Sequence, residues 1–264
     1  FASPDEVLER EIMNHLFPDT TYGCESGGDP KNIPDLTYEN FLNFHRTYYH
    51  PSNSYIYLYG NMDMEEKLAF LDEHYLSHFD YLDVDSVIQE QKAFGACQDV
   101  TLEYPVAENE GEEDNTYLSY NMVVGNAADS QMAMAFEVLD YALLSAPGAP
   151  LKQALLDVKA GKDVYGSYDD GILQPYFTVI AKGSNPDRKE EFVSVIRQVL
   201  GDIVKNGIDR KAVEAGINYF EFRYREADFS SYPKGLMYSL DILGDWLYEK
   251  GNPFAQVQQL TVFE

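Results

Sequence analysis

Apolar residues recur at helical spacing near the start of the chain, and polar residues mark where that helix begins. The apolar stripe consists of Val7, Leu8, Ile12, Met13 and Leu16. Ser3 and Glu6 form an S-x-x-E capping box, and Pro4 occupies the first helical position. The pattern therefore predicts a helix that begins at Ser3-Pro4 and stops before Pro18.

The same analysis predicts further elements along the rest of the chain. Helices are expected at about 37–49, 64–79, 129–144, from Pro150, 185–205, 209–226 and 233–246. Alternating or β-branched and aromatic runs predict strands at 54–60, 100–104, 116–125, 164–168 and 175–182. The last two strands flank Asp169-Asp170-Gly171, a hairpin-turn signal.

This order of elements predicts an α+β fold. Hairpin-linked strands separated by runs of helices favour an antiparallel sheet covered on one face by helices. Residues from about 80 to 98 lack strong periodicity and are expected to connect two units. The second unit has the predicted order ββααββααα.

Composition and charge narrow the class of protein. The 264 residues are 45% hydrophobic and 14% aromatic, which is enough for a genuine core. A formal net charge of −26 repels nucleic acid and anionic membranes and favours cationic partners. An acidic proteome would give the same balance, so the charge alone does not identify a partner. We expect neither nucleic acid nor membrane as a partner.

The cysteines and the apolar runs exclude two further classes. Cys24 and Cys97 are the only cysteines and show no paired spacing, which argues against a disulfide scaffold. No apolar run approaches the roughly 20 residues of a membrane span. We expect a soluble protein of the cytoplasm or an organelle lumen, with the compartment left open because the chain starts at Phe1 without an initiator Met.

His74 and His78 stand four residues apart on the predicted third helix, as two zinc ligands would. The intervening residues lack the Glu of H-E-x-x-H, and no third ligand is evident, so we reject zinc here. His45 and His50 lie at a predicted helix end, where histidines interact favourably with the helix dipole.

The loop Ser26-Gly27-Gly28-Asp29-Pro30 does not fit a phosphate site. No helix begins directly after it, and the Lys-Ser/Thr ending of a P-loop is absent. We expect a tight turn. The acidic residues between 108 and 114 are expected to be a solvated hairpin tip. The residues themselves therefore predict no catalytic, metal-binding or cofactor-binding site.

Several sequence segments match a known protein family in residue type, order and spacing. The chain resembles the presequence-protease branch of the pitrilysin/insulinase (M16) zinc metallopeptidases over about 60 residues in order and spacing. The matching segments are Leu16–Tyr22, Ser26–Pro30, Ile33-Pro34, Leu36–Glu39, Phe44-His45, Tyr49–Asn53 and Tyr59–Asn61. A looser similarity continues through Leu144–Pro147, Pro150-Leu151, Lys182-Gly183, Tyr224–Glu226, Gly235-Leu236 and Trp246.

The resemblance implies a large enzyme of four related α+β units that enclose a peptide. Its zinc is held by H-x-x-E-H and by a more distant Glu in an Asn-Glu-Met-Lys-Gly-like segment, and neither segment occurs in this sequence. We therefore carry over no catalytic or metal-binding residue. Zinc is expected in the parent enzyme, with ligands outside this chain.

The resemblance also implies a domain arrangement. We expect residues 1–80 to be the C-terminal part of the first, catalytic unit, 81–97 a connector, and 98–264 a second, non-catalytic unit. The chain would be an internal fragment that adds to a chamber wall, with peptides, basic ones in particular, and the remaining parental domains as partners. Two alternatives stay open: a piece of an inactive paralogue that serves as a structural partner, and a stand-alone peptide-binding module.

Overall fold

A computed structural model describes residues 3–107, 111–226, 229 and 231–248. Among these residues the helices are α1 (Pro4–Leu16), α2 (Tyr38–Tyr48), α3 (Met64–His74), α4 (Ser130–Asp140), α5 (Pro150–Asp157), α6 (Lys189–Asn206), α7 (Arg210–Glu226) and α8 (Lys234–Leu247). The strands are β1 (Thr116–Val123), β2 (Asp163–Asp169) and β3 (Tyr176–Ser184).

The three strands form an antiparallel sheet in the order β1-β3-β2. Tyr120 and Gly166 both face Val179 across the ladder, so β3 is bonded on both edges. β2 and β3 are consecutive and joined by residues 170–175, which we call the β2–β3 loop. The predicted α+β fold with an antiparallel, helix-covered sheet is confirmed.

The main core lies between one face of the sheet and the helices that follow it. Buried side chains from both layers meet there: Leu118, Leu143, Leu144, Leu151, Leu155, Val164, Phe177, Val179, Ala181, Phe192 and Ile196. The strands contribute alternate residues to this core, because successive side chains of a pleated strand point to opposite faces of the sheet. Burial of this apolar area is the dominant stabilising term in the fold.

The opposite face of the sheet is covered by α1, so helices lie on both faces. Phe17, which follows α1, is fully buried, and its ring meets the Tyr176 ring edge-on with centroids 6.2 Å apart. Near the start of α1, the Asp5 carboxylate accepts from Lys182 Nζ on β3 at 2.9 Å. The helix therefore has an apolar anchor at one end and an ion pair at the other.

Capping explains several helix boundaries. Thr37 Oγ1 accepts a hydrogen bond from the Asn40 backbone amide, as an N-cap side chain does. The carboxylates of Asp63 and Asp129 accept in the same way from the backbone amides of Glu66 and Met132. Ser3 is the N-cap residue of α1, but its side chain forms no capping hydrogen bond. This part of the predicted capping box is therefore wrong, although the helix begins where it was expected.

Several predicted elements differ in the structure. Residues 54–60 and 100–104 form no strand, because no described segment pairs with their backbones. The third helix ends at His74 instead of about 79, and a 3₁₀ turn Leu76–His78 follows it. The helix predicted for 129–144 changes at Tyr141 into a π-helical turn, Tyr141–Ser145. Part of the predicted acidic hairpin tip, at 108–110, lies outside the described residues.

The described residues from about 24 to 107 contribute little to the core. Neither α2 nor α3 contains a buried residue, although both carry large apolar side chains. Phe41 is 67% exposed and Phe44 59% exposed on α2. Amphipathic helices normally bury such a stripe, so this part of the chain presents an apolar surface.

Gly166 allows β2 to pack closely on β3 and on the π-helical turn. A Cβ built at Gly166 would overlap the Thr178 carbonyl oxygen and Leu144 Cδ1. We predict that Gly166→Ala lowers the free energy of unfolding by about 1–3 kcal/mol, measured by urea denaturation.

Gly201→Ala in α6 is the matched control, since nothing lies within 4 Å of the Cβ that it would add. This control should stabilise the chain slightly, by up to about 1 kcal/mol, because alanine favours a helix. Equal effects at the two positions would contradict the packing role of Gly166.

Candidate functional site

The structure separates the two histidines that were considered as a zinc pair. His74 is the last residue of α3, and Tyr75 leaves helical geometry with φ −138° and ψ −66°. The His74 ring lies 4.6 Å from the Phe70 ring, and His78 falls in the following 3₁₀ turn. No group of three or more His, Cys, Asp or Glu side chains within the described ranges could hold a metal.

Two other histidines, His45 and His50, have ordinary structural contacts. His45 stacks on Tyr49 with ring centroids 5.0 Å apart, near the end of α2. His50 Nδ1 accepts from the Ser52 amide at 3.2 Å, and its ring meets Phe79 edge-on. These contacts explain both residues without a catalytic role.

The glycine-rich loop forms a sequence of turns. Gly28 has φ +85°, a conformation that favours glycine. The carboxylate of Asp29 accepts from the Lys31 amide at 2.8 Å, and a 3₁₀ turn at Ile33–Asp35 follows. The next α-helix, α2, begins only at Tyr38, so the loop does not lead directly into a helix N-terminus as a phosphate cradle does.

The β2–β3 loop forms hydrogen bonds with three segments that are distant in sequence. Gln91, buried to 7% exposure, exchanges two hydrogen bonds with Gln174 in this loop: Gln91 N donates to Gln174 Oε1 at 2.6 Å, and Gln174 Nε2 donates to the Gln91 carbonyl at 3.2 Å. The Gln91 side chain in turn bonds Asp19 at 2.9 and 2.8 Å. A buried amide that is fully bonded in this way fixes the relative position of the three segments.

Two tyrosines connect the same loop to α1 and α8. Tyr22 Oη accepts from the Leu173 amide at 3.1 Å and lies 2.8 Å from Tyr248 Oη. Tyr248 donates to the Gly171 carbonyl at 3.4 Å. The loop is therefore bonded to residues that follow α1, to residue 91 and to the end of α8.

A cluster of buried acidic and phenolic groups lies on the other side of the loop. Tyr224 on α7 donates to Glu137 Oε2 on α4 at 3.4 Å. Asp170 of the loop and Asp241 of α8 lie close enough to Glu137 to disfavour its charge, whereas Arg223 favours it. Four elements thus contribute to one partly buried group of carboxyl and hydroxyl side chains.

Burial controls the protonation of this cluster. It raises the pKa of Glu137 to about 7, and the negative charge of Asp170 adds to the effect. Burial also raises the pKa values of Asp170 and Tyr224, the latter with a contribution from the Glu137 charge. The Asp140 pKa is raised for the same reason, although Ser145 Oγ donates to its carboxylate at 3.2 Å.

An open hollow lies beside the loop. It is lined by residues 87–93 and Leu173 and has a volume of about 720 Å³. Its charged side chains are Glu90 and Lys92, and the Glu90 carboxylate accepts from Asn126 Nδ2 at 2.7 Å. The hollow offers backbone and aliphatic contact surface but no cluster of catalytic groups.

The described residues offer few reactive or metal-binding side chains that lie together. The described residues bring together no group of metal ligands. One hydroxyl–carboxylate pair, Ser145 with Asp140, lies where α4 passes into the π-helical turn. Cys24 and Cys97 are exposed and unpaired. No helix in the described part of the chain combines the length and apolar character needed to cross a bilayer.

Sequence reasoning missed Glu137 and Gln91. A signal for Glu137 was present, because an acidic residue in the run Met132-Ala-Met-Ala-Phe-Glu-Val-Leu139 must lie among apolar neighbours on a helix. Gln91 had no comparable signal. Its partners Asp19 and Gln174 are 72 and 83 residues away in sequence, and only the tertiary fold brings them together.

Comparison with known proteins identifies the family of this domain. A sequence profile described as "Peptidase M16 inactive domain" matches residues 35–220. The chain therefore belongs to the M16 peptidase family, in its presequence-protease-like branch.

Individual relatives cover nearly the whole chain. Protein HypA of Clostridium perfringens is 46% identical over 258 residues, 98% of this chain and 26% of its own length. Presequence protease 1, chloroplastic/mitochondrial, of Arabidopsis thaliana is 35% identical and matches 98% of this chain with 24% of its own length. The chain thus spans about a quarter of the curated relatives that it matches.

Solved structures share the fold. An M16-like peptidase from Alicyclobacillus acidocaldarius matches 99% of this chain and 60% of its own with a TM-score of 0.69 at 17% identity. A peptidase M16 inactive domain from Pseudomonas fluorescens matches 98% of this chain and 60% of its own with a TM-score of 0.61 at 16% identity. At these identities the likeness concerns the fold alone.

The raised pKa of Glu137 predicts a specific pH dependence of stability. In the unfolded chain this carboxyl titrates near 4.5, and in the folded chain near 7. Between pH 4.5 and pH 7 the folded state binds more protons than the unfolded state. The contribution of Glu137 to the free energy of unfolding is therefore complete below about pH 4.5 and is lost as the pH rises through 7. Glu137→Gln keeps the neutral form at every pH and should raise stability at pH 8 relative to the original chain by roughly 2–3 kcal/mol.

Urea denaturation at pH 5 and pH 8 tests this prediction. The variant should gain stability at pH 8 and change little at pH 5. Glu214→Gln on α7, whose side chain is 55% exposed beside Arg210, serves as the control and should be nearly neutral at both values. A Glu137→Gln effect that does not depend on pH would show that the carboxyl is not protonated in the folded chain.

Proposed function

We propose that this chain forms part of the chamber wall of a zinc-dependent metalloendopeptidase that degrades short unfolded peptides. In this role it works with the remaining domains of a longer polypeptide and supplies none of the zinc ligands. One observation carries the proposal: a match over 98% of the chain to a protein named presequence protease is combined with described residues that hold no metal-binding group. The chemistry would then reside in another part of the longer protein, and the chain alone would be inactive.

The domain arrangement is part of the same proposal. Residues 1–80 would complete the catalytic unit, 81–97 would connect, and 98–264 would be the non-catalytic unit. The bonded group of Asp19, Gln91 and Gln174 supports this arrangement, because it joins residues from all three segments. Such a junction would keep the two units in a fixed relation while a peptide is enclosed.

Charge supports the preference for basic peptides. With 19 basic and 45 acidic residues, the chain carries −26 formal charges. A strongly acidic wall attracts cationic peptides and repels anionic ones, and added salt screens both effects.

The alternative is a structural or assembly role in a family member without a zinc site. The description of the matched profile as an inactive domain favours it. The two functions differ in the longer protein: an intact H-x-x-E-H segment supports the peptidase, and its absence supports the structural role.

The first test compares the 264-residue chain with the longer product of the same gene. We expect the longer protein to contain about one zinc per chain by elemental analysis and to cleave short unfolded peptides. The 264-residue chain should contain no stoichiometric zinc and should cleave nothing. Zinc and cleavage in the short chain, or neither in a folded longer protein, would refute the proposed peptidase role.

The second test concerns the charge of the substrate. Peptides of equal length with basic, neutral and acidic side chains are assayed on the longer protein at several salt concentrations. We expect kcat/KM to be highest for the basic peptide and its advantage to shrink as salt rises, with the neutral peptide nearly unaffected. Equal kcat/KM for all three peptides at every salt concentration would rule out electrostatic selection.

A further inference from the structure

Helix α8 is attached to distant parts of the chain by hydrogen bonds and ring contacts at its end. Tyr55 Oη donates to the Trp246 carbonyl at 3.3 Å, and the Tyr55 and Trp246 rings lie 4.9 Å apart. Tyr248, the C-cap residue, has its hydroxyl 2.8 Å from Tyr22 Oη and donates to the Gly171 carbonyl at 3.4 Å. α8 thus joins two segments near the start of the chain to the β2–β3 loop.

α8 has little apolar anchorage of its own. Among its described residues only Ser239 is buried, and Leu240 and Leu247 are more than half exposed. α4 and α7, in contrast, pack so closely that a Cβ at Gly216 on α7 would lie 3.2 Å from Val138 Cγ1 on α4. Of these three helices, α8 is therefore the one that separates at the lowest cost in buried apolar surface.

The cluster around Glu137 on α4 involves α8 as well as the β2–β3 loop. The charged and phenolic groups that act on this carboxyl are Tyr168 of β2, Asp170 of the loop, Arg223 and Tyr224 of α7, and Asp241 of α8. The two carboxyls belong to the loop and to α8, whereas the cation Arg223 belongs to α7. A negative charge on Glu137 is therefore repelled by the loop and α8 and attracted by α7.

The protonation of Glu137 consequently depends on whether α8 is in place. Burial, followed by the charge of Asp170, raises the pKa of Glu137 to about 7, and Asp241 adds a smaller effect. Departure of α8 would remove Asp241 and admit water, so the pKa would fall towards 4.5. Linkage then requires that a rise in pH between these two values favours the separated state, with little further change above pH 7.

We propose that α8 is a strap controlled by the proton on Glu137: the neutral carboxyl allows α8 to close over the cluster, and the charged carboxylate releases it. Because the strap bonds Tyr22, Tyr55 and the β2–β3 loop at the same time, its release loosens one connection between the start of the chain and the sheet. The inference does not depend on whether the longer polypeptide is a peptidase.

Amide hydrogen exchange resolved by segment tests the strap, with Glu137→Gln as a side chain that is neutral at every pH. At pH 8 the amides of Tyr238–Leu243 in α8 should exchange at least about tenfold faster in the original chain than in the variant. At pH 5 the two rates should agree within a few-fold. Comparison at equal pH cancels the intrinsic effect of pH on exchange, and Glu214→Gln on α7, the exposed control, should leave α8 exchange unchanged at both values.

The amides of Phe177–Ala181 in β3 distinguish release of the strap from unfolding of the whole chain. β3 is paired on both edges, so in the original chain at pH 8 these amides should be at least about tenfold more protected than those of α8. Equal protection of α8 and β3 would show that α8 opens only when the chain unfolds, which overturns the strap. A ratio of α8 exchange rates that is the same at pH 5 and pH 8 would overturn the control by protons.

The original chain decides the same question if Glu137→Gln does not fold. Its α8 exchange is measured from pH 5 to pH 8 and corrected for the intrinsic rates of the amides. The opening constant of α8 should rise by about tenfold or more over this range and level off above pH 7. An opening constant that does not change with pH would refute the proposal.

Tyr248→Phe provides a contrast, because it removes an attachment of α8 that does not titrate in this range. The variant loses the hydroxyl contacts to Tyr22 and Gly171, and burial raises the pKa of Tyr248 above its ordinary value. Exchange in α8 should become about two- to tenfold faster, by the same factor at pH 5 and pH 8. Unchanged exchange would show that the helix is not held there, and a factor that differs tenfold between the two pH values would place the titrating group at the helix end instead of at Glu137.

Discussion

The structure depends on β3 being buried on both faces and paired on both edges. Val179 and Ala181 face the helical core with no exposed surface, and Thr178 on the opposite face is only 2% exposed. A strand in this position must satisfy all its backbone groups by pairing, which β1 and β2 provide. The loop that enters β3 is consequently fixed in place, and hydrogen bonds join it to Tyr22, Gln91 and Tyr248.

The same loop concentrates the polar groups of the interior. On one side the amides of Gln91 and Gln174 bond each other and Asp19, so burial of these groups costs little. On the other side Glu137 lies among Asp170, Asp241 and Tyr224, where the charged form of the carboxyl is disfavoured. The first group holds three segments together mainly through amides, while the second makes the packing of α4 against α7 sensitive to protons near neutrality.

Local signals in the sequence predict most of the helices and the β2–β3 hairpin but not the whole pattern of strands. Two helices begin close to residues 37 and 129 as predicted, and the Thr37 and Asp129 side chains cap them by bonding the amides three positions on. Residues 54–60 and 100–104 have strand composition, yet a strand exists only where another segment pairs with it, and composition cannot supply that information. The resemblance to M16 peptidases identified the family correctly. The hydrogen bonds around the β2–β3 loop could not be predicted in the same way, because they join residues that are 72 to 151 positions apart in sequence.

Membership of a metallopeptidase family and the lack of a metal site among the described residues are physically compatible. Zinc catalysis needs a few ligands and a general base held within a few ångströms, so one unit of a large protein can contain the whole site. The other units then have different requirements: they must keep their shape, bind their neighbours and provide a surface of suitable charge. Buried β3 and the bonded β2–β3 loop serve the first requirement in the described part of this chain, and its composition is strongly acidic. For such a unit the features under physical constraint are its junctions rather than a reactive side chain.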